Sequence, residues 1–286
     1  MPDTLIKLTE CPRDAMQGLH DFVPTAVKVE YINLLLQVGF DTIDFGSFVS
    51  PKAIPQMRDT AEVLAKLDLS NTRSKLLAII ANYRGAEEAV QHEEITYLGY
   101  PFSISEAFQL RNTNTSISDA FDVVKKIKEL SDKRNKELLI YLSMGFGNPY
   151  GDEWNVEIIQ QWTEKLVNEG VNIIALSDTI GVASADQIKD IYPYLTSQFS
   201  KTEFGVHLHS TPDTWLQKVE AAYQSGCKRF DGALKGYGGC PMAKDDLTGN
   251  IATENLISYL KSQNALKGLD YGKLQEALDY SAVVFN

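Results

Sequence analysis

Eight short apolar runs alternate with longer amphipathic stretches, several runs are apolar without alternation, and glycine separates helix from strand at three points. Together these features predict an α/β fold, a TIM (β/α)8 barrel with an extra C-terminal helix. Runs such as residues 76–81 and 173–176 suit parallel strands buried on both faces. Eight strand–helix units within ~250 residues is the count of such a barrel, with a doubly wound open sheet as the competing arrangement. Gly39, Gly170 and Gly226 each follow a helical segment and precede a strand. Glycine there tolerates the left-handed conformation that ends a helix.

The first run, residues 5–10, leads through a loop to a helix over 24–38. Run 42–47 precedes a helix near 55–66, run 75–81 a short helix over 85–92, and run 95–103 a helix over 118–133. Run 137–144 precedes a helix over 155–169, run 172–177 a helix over 183–195, and run 204–209 a helix over 213–225. The eighth run, 229–234, is followed by a glycine-rich loop and helices near 253–262 and 272–284. No linker or composition break divides the chain, so one domain over 1–286 is expected.

Composition excludes several functions. A net charge of −11 is unsuited to general nucleic-acid binding, which needs basic contacts to phosphate. An anionic substrate stays open, because distant exposed charges are screened and a few local cations dominate one mouth. No apolar run reaches the roughly 18 residues of a spanning helix, so no membrane partner is expected. The N-terminus lacks the basic and apolar regions of a secretory signal. The three cysteines, Cys11, Cys227 and Cys240, form neither a disulfide framework nor a metal finger. Reducing cytoplasm is the expected setting.

In such a barrel the active site lies at the C-terminal ends of the strands. Arg13 and Asp14 follow the first run; Asp44 and Ser47 end the second; Ser103 and Glu106 follow the fourth. Tyr141 and Ser143 are late in the fifth, Asp178 and Thr179 follow the sixth, His207 and His209 end the seventh, and Lys235 follows the eighth. His207 and His209 project to one face of their strand and Leu208 to the other. An isolated H-x-H pair is more often two hydrogen-bonded histidines than a metal site. Asp14 offers a third ligand, because the first strand closes beside the eighth. Two imidazoles and a carboxylate, completed by amide oxygen and water, suit Mg2+ or Mn2+. Arg13 suits a carboxylate or a developing enolate oxygen, against the alternative of a surface salt bridge. Cys240 sits among Gly236, Gly238 and Gly239, where it is either a proton-transfer group or a packing residue. Asn250 either caps a helix or brings an amide oxygen to the metal.

These residues resemble a family, the 3-hydroxy-3-methylglutaryl-CoA lyases of the metal-dependent lyase and synthase superfamily. The matching segments are Glu10-Cys11-Pro12-Arg13-Asp14-Ala15-Met16-Gln17, Ser47-Phe48-Val49-Ser50-Pro51-Lys52, Pro55-Gln56-Met57, Asp178-Thr179-Ile180-Gly181-Val182, His207-Leu208-His209, Gly238-Gly239-Cys240-Pro241 and Gly249-Asn250-Ile251-Ala252-Thr253-Glu254. The resemblance implies that Asp14, His207, His209 and Asn250 hold a divalent metal, Mg2+ or Mn2+. It implies Arg13 and Cys240 as catalytic groups, with Asp178 or His207 taking the substrate's hydroxyl proton. Tyr141, Gln17, Asp44, Ser47 and Glu254 are the implied substrate-binding positions. The implied substrate is an acyl-CoA, cleaved in a retro-Claisen reaction by a homodimer. The chain departs from the family at Ala15, where Gly is usual, at Asp44 (Glu), at His20 (Lys) and at Ser210 (Asp). An arginine expected just before Tyr141 is missing, with Leu138, Leu139 and Ile140 in its place. A condensing acyltransferase of the isopropylmalate or homocitrate synthase type, a hydroxy-keto-acid aldolase and a non-catalytic scaffold barrel are the rival readings.

Overall fold

The computed structural model describes residues 6–239 and 248–285. Its elements run β1 (Lys7–Glu10), α1 (Pro12–Gln17), α2 (Thr25–Val38), β2 (Thr42–Ser47), α3 (Thr60–Leu64), β3 (Lys75–Ile79), α4 (Tyr83–Ala89), β4 (Ile95–Ser103), α5 (Glu106–Thr113) and α6 (Ile117–Lys133). They continue with β5 (Glu137–Ser143), α7 (Val156–Asn168), β6 (Ile173–Asp178), α8 (Ala185–Gln198), β7 (Glu203–Ser210), α9 (Trp215–Gln224), β8 (Arg229–Gly232), β9 (Gly249–Asn250), α10 (Thr253–Ser262) and α11 (Tyr271–Phe285). Strands β1 to β8 pair in parallel around a closed ring, in which β1 lies between β2 and β8 and β6 closes on β7. This is the expected TIM barrel, and α11 is its extra C-terminal helix, packed on α2.

The helices start where side-chain oxygens replace missing backbone acceptors. Asn82, Ser105, Ser116 and Asn155 each accept a first-turn N–H of α4, α5, α6 and α7. Ser184 and Gln187 form a reciprocal capping box on α8. Gly39, Gly170 and Gly226 stand at φ of +90°, +84° and +91°, as their helix-ending positions required.

Strand parity divides the apolar residues into two layers. Leu76, Ala78, Leu98, Tyr100, Ile140 and Ile174 face the helices and join the main core. Leu77, Ile79, Tyr97, Leu139, Tyr141, Ile173 and Ala175 face the lumen as a separate cluster. The base of the lumen is closed by charge. Glu203 accepts from Lys7 at 2.5 Å and from Arg229 at 3.1 Å, and the Arg229 guanidinium lies 5.0 Å from the Tyr97 ring centre.

Four features differ from the sequence reading. The segment after β1 opens with the short helix α1 rather than a loop, started by Pro12 in its first turn. Helix α5, begun by the Ser105 cap, was not expected. The single helix expected over 55–66 is a 3-10 turn, Pro55–Met57, followed by α3. Strand β9 pairs antiparallel with the end of β7, setting Asn250 opposite His209. Among the described residues no helix is long and apolar enough to cross a membrane.

Candidate metal and acyl-CoA site

A cavity opens at the C-terminal ends of the strands, and its lining is of two kinds. Its polar lining includes Arg13, Asp14, Gln17, His207 and His209, and its more apolar lining Ile79, Pro101, Phe108 and Tyr141. Those polar residues come from two short segments, α1 and the end of β7.

Pro12 starts α1 immediately after β1, which turns Arg13 and Asp14 over the barrel mouth. The Arg13 guanidinium donates through Nε (3.2 Å) and Nη2 (2.5 Å) to the two Asp44 oxygens. Its Nη1 donates to Asp14 Oδ1 and to Gln17 Oε1, both at 2.9 Å. Four of five N–H donors are thus engaged, leaving one on Nη2. Burial alone lowers the Arg13 pKa, but Asp44 and Asp14 outweigh it and hold the group charged. Burial pushes Asp44 up to about 6 against the pull of Arg13. Burial likewise favours the neutral form of Asp14, yet Arg13, His207 and His209 hold its carboxyl below the usual range.

Parity on β7 sends both histidines into the lumen, as expected. The His209 Nδ1 lies 3.1 Å from the Thr179 carbonyl. A carbonyl only accepts, so Nδ1 carries the proton and Nε2 presents its lone pair. That Nε2 is buried and has no hydrogen-bond partner among the described residues. Burial, reinforced by His207, pushes His209 down to about 4, so the ring is neutral at pH 7. The His207 Nδ1 lies 3.2 Å from Asp231 Oδ2 on β8. Burial pulls His207 down, and Asp231 outweighs it, leaving the pKa above its ordinary value.

One ligand atom each from Asp14, His207 and His209 falls within 4.8 Å of the others. An unpaired buried acceptor costs about 1–3 kcal/mol, and a cation between these groups supplies the missing partner. The donor set therefore fits a divalent metal. Asn250 is adjacent, with Nδ2 donating to Asp14 Oδ2 at 2.7 Å and to the Tyr237 carbonyl at 2.9 Å. As placed it steadies Asp14; offering Oδ1 requires the amide to turn. Gly238, at φ +96°, makes this approach feasible. A Cβ there would stand 2.7 Å from Asn250 Nδ2 and 2.9 Å from the Asp14 carbonyl. Cys11, His207 and Asp231 form a second close triple. Burial raises the Cys11 thiol far above its ordinary pKa, so it is a protonated packing group.

Of the sequence-predicted residues, Arg13, Asp14, Gln17, Ser47, Tyr141, His207 and His209 line the cavity. Asp44 acts on it through Arg13 and Asn250 through Asp14. Two others do not reach it. Asp178 lies between Ser177 and Thr179, which do line the cavity, so strand parity turns it the other way. Its Oδ2 accepts from Lys218 of α9 at 2.6 Å and its Oδ1 from the Ala183 N–H at 3.0 Å. That corrects the expectation of Asp178 as a base. Glu254 instead holds the Lys235 N–H at 3.0 Å in a separate depression. Cys240 lies outside the described residues. The sequence reading missed Asp231 and Lys218. Asp231 shares its inward parity with Arg229; no sequence signal marks Lys218 as buried. Leu139, in the stretch where an arginine was expected, faces the apolar lumen.

The family described as HMGL-like matches residues 6–280. The hydroxymethylglutaryl-CoA lyase of Bacillus subtilis strain 168 is 32% identical over 269 residues, covering 93% of this chain and 88% of that protein. The mitochondrial hydroxymethylglutaryl-CoA lyase of Mus musculus is 32% identical over 284 residues, covering 98% and 86%. A solved HMG-CoA lyase of Acinetobacter baumannii, in complex with coenzyme A and 3-methylmalate, superposes with a TM-score of 0.92 at 31% identity, covering 99% of this chain and 92% of that one.

Proposed function

Since the chain belongs to the HMGL-like family, we propose that it is a carbon–carbon lyase cleaving 3-hydroxy-3-methylglutaryl-CoA to acetyl-CoA and acetoacetate. The observation that carries this reading is the unpartnered, inward-facing Nε2 of His209 beside Asp14, His207 and Arg13. Asp14, His207 and His209, with Asn250 next to them, are the residues that would hold Mg2+ or Mn2+. Such an ion supplies Lewis acidity toward the substrate's oxygens and eases loss of the C3 hydroxyl proton.

In the reaction the C3 hydroxyl gives up its proton to solvent water and the C2–C3 bond breaks. Its electron pair moves to C2, forming the enolate of acetyl-CoA, while C3 becomes the ketone of acetoacetate. The remaining Nη2 donor of Arg13 would stabilise the enolate oxygen, and the hold of Asp44 and Gln17 on the guanidinium supports that reading. His207 has Nδ1 engaged by Asp231, so a ligand role for Nε2 leaves it no nitrogen to act as a base. Tyr141, edge-on to His207 at 5.4 Å, has a buried hydroxyl without a partner among the described residues and would present it to the substrate. Ser47 and the apolar wall complete the acyl pocket. Cys240 returns a proton to the enolate. This role rests on the resemblance, as does assembly as a homodimer; the reducing cytoplasmic setting rests on three cysteines without a disulfide framework.

The direct test is mass-spectrometric detection of acetyl-CoA from a panel of hydroxyacyl-CoA thioesters, with and without Mg2+ or Mn2+. We expect metal-dependent, stoichiometric acetyl-CoA and acetoacetate from 3-hydroxy-3-methylglutaryl-CoA. No release above the metal-free control from any thioester rules the lyase out. Consumption of acetyl-CoA with a 2-oxo acid points to a synthase. For Cys240, general acid–base catalysis is typically worth about 10²–10⁴ in rate. Cys240→Ser is expected to bind Mn2+ normally and lose about 10² or more in turnover, and normal turnover assigns the cysteine to packing.

A further inference from the structure

Lys218 reaches from α9 to the rim of the barrel with its side chain almost fully buried. Its three ammonium donors meet three acceptors: Asp178 Oδ2 at 2.6 Å, the Gly181 carbonyl at 2.8 Å and the His209 carbonyl at 2.8 Å. No donor is left for substrate, so Lys218 has no catalytic contact to offer.

The positions of those acceptors matter more than their number. Two belong to the end of β6 and its following turn; the third is the backbone of His209 on β7. The β6–β7 ladder stops at Asp178 opposite Leu208. Among the described residues the paired ladder continues no further, and the His209 Nδ1–Thr179 carbonyl contact crosses between the two segments just beyond its end. That contact fixes which nitrogen of His209 faces the cavity. The Thr179 end is further anchored, since its hydroxyl accepts the Met144 N–H at 2.9 Å and Asp178 holds the Ala183 N–H.

We propose that Lys218 is the positioning residue that sets the metal-ready orientation of His209, by clamping the β6 turn and the His209 backbone at a fixed separation. This rests on the reading of His209 as a metal ligand. The same ion pair turns Asp178 from an acid–base group into scaffold. Groups that orient a metal-binding histidine from behind typically change metal affinity 10–100-fold when removed.

Lys218→Met alone leaves Asp178 buried without its cation, which endangers folding. The informative variant is therefore Lys218→Met with Asp178→Asn. It removes both charges, and the amide oxygen still accepts from Ala183. Two measurements are made on folded protein: calorimetric titration with Mn2+ alone, and the imidazole nitrogen NMR signature of each histidine without metal. The wild type is expected to show His209 as the Nδ1–H tautomer. The double variant is expected to show mixed His209 tautomers, an unchanged His207 signature and Mn2+ affinity weaker by about 10–100-fold. Wild-type affinity with an unchanged His209 signature overturns the proposal, as does an equal disturbance of both histidines. If wild-type protein binds no Mn2+, the metal reading fails, and the His209 signature alone then decides the positioning role.

Discussion

Asp14 and Asp178 are both carboxylates at the barrel mouth, and each is paired with a cation in a buried setting. Their surroundings give them opposite uses. Asp14 shares Arg13 with Asp44, takes further hydrogen bonds from Gln17 and Asn250, and keeps its carboxylate among the cavity-lining groups beside two imidazoles. Asp178 faces the helices, and Lys218 with the Ala183 N–H occupies both its oxygens. Position at a strand end therefore does not make a catalytic group. What matters is the face the side chain takes and whether its valence is left open for a ligand.

The largest expected effect is at the open carboxylate. Asp14→Asn removes a ligand charge but keeps an acceptor for Gln17. Mn2+ affinity is expected to fall by more than about 100-fold, beyond the loss of an outer orienting group. Turnover is expected to fall with it, since metal Lewis acidity is worth several kcal/mol. Calorimetry that finds unchanged affinity removes Asp14 from the ligand set. Next is its cation. Arg13→Met is expected to lower turnover by about 10²–10³, some 2.7–4 kcal/mol, with metal still bound. It also strands Asp44, at a stability cost of about 3–5 kcal/mol. Near-normal kcat in a folded variant assigns Arg13 to structure alone.

At the closed carboxylate the kinetic effect is smaller. Asp178→Asn keeps an acceptor, and Lys218 keeps its two carbonyls. Turnover is expected to change by less than about tenfold, under 1.4 kcal/mol, while denaturant melts report the weakened ion pair. A loss of 10² or more would return Asp178 to the chemistry.

This pair also marks how far the sequence could be read. Eight apolar runs located every barrel strand, and the period of two placed His207 and His209 together over the cavity. The same period, carried forward from Ser177, turns Asp178 outward, but an apolar run that stops at Ser177 leaves Asp178 looking like the first residue of a loop, where the period has no hold. The partners were not legible in the same way. Lys218 looks like one more charged residue on an amphipathic helix, and only the path of α9 past the ends of β6 and β7 buries it. Asp44 was expected to meet substrate, whereas its close fit to Arg13 depends on α1, an element whose six residues give no periodic signal. Asn250 reached the site through β9, a two-residue strand too short to announce itself.

A third carboxyl, Glu10, sharpens the comparison because it is closed and also neutral. It ends β1 on the helix-facing side, fully buried. The Leu234 N–H donates to Oε1 at 2.9 Å, and Oε2 lies 2.5 Å from Thr253 Oγ1. Burial dominates, raising its pKa from 4.5 to about 8 against these hydrogen bonds. In the protonated form Oε2 donates to Thr253, so the folded state keeps a proton that the unfolded state releases above pH 4.5. The stability this provides is complete below that value and declines as pH rises toward 8. The slope is at most about 1.4 kcal/mol per pH unit. Above pH 8 both states are ionised and the slope vanishes. Glu10→Gln keeps an acceptor for Leu234 and a donor for Thr253, with no proton to lose. Denaturant melts from pH 4.5 to 9 are expected to show the variant gaining on the wild type through the window, then running parallel to it. A constant difference across that range would mean that Glu10 is ionised in the folded protein throughout, and that burial at this strand end is offset by charge interactions, as it is at Asp14.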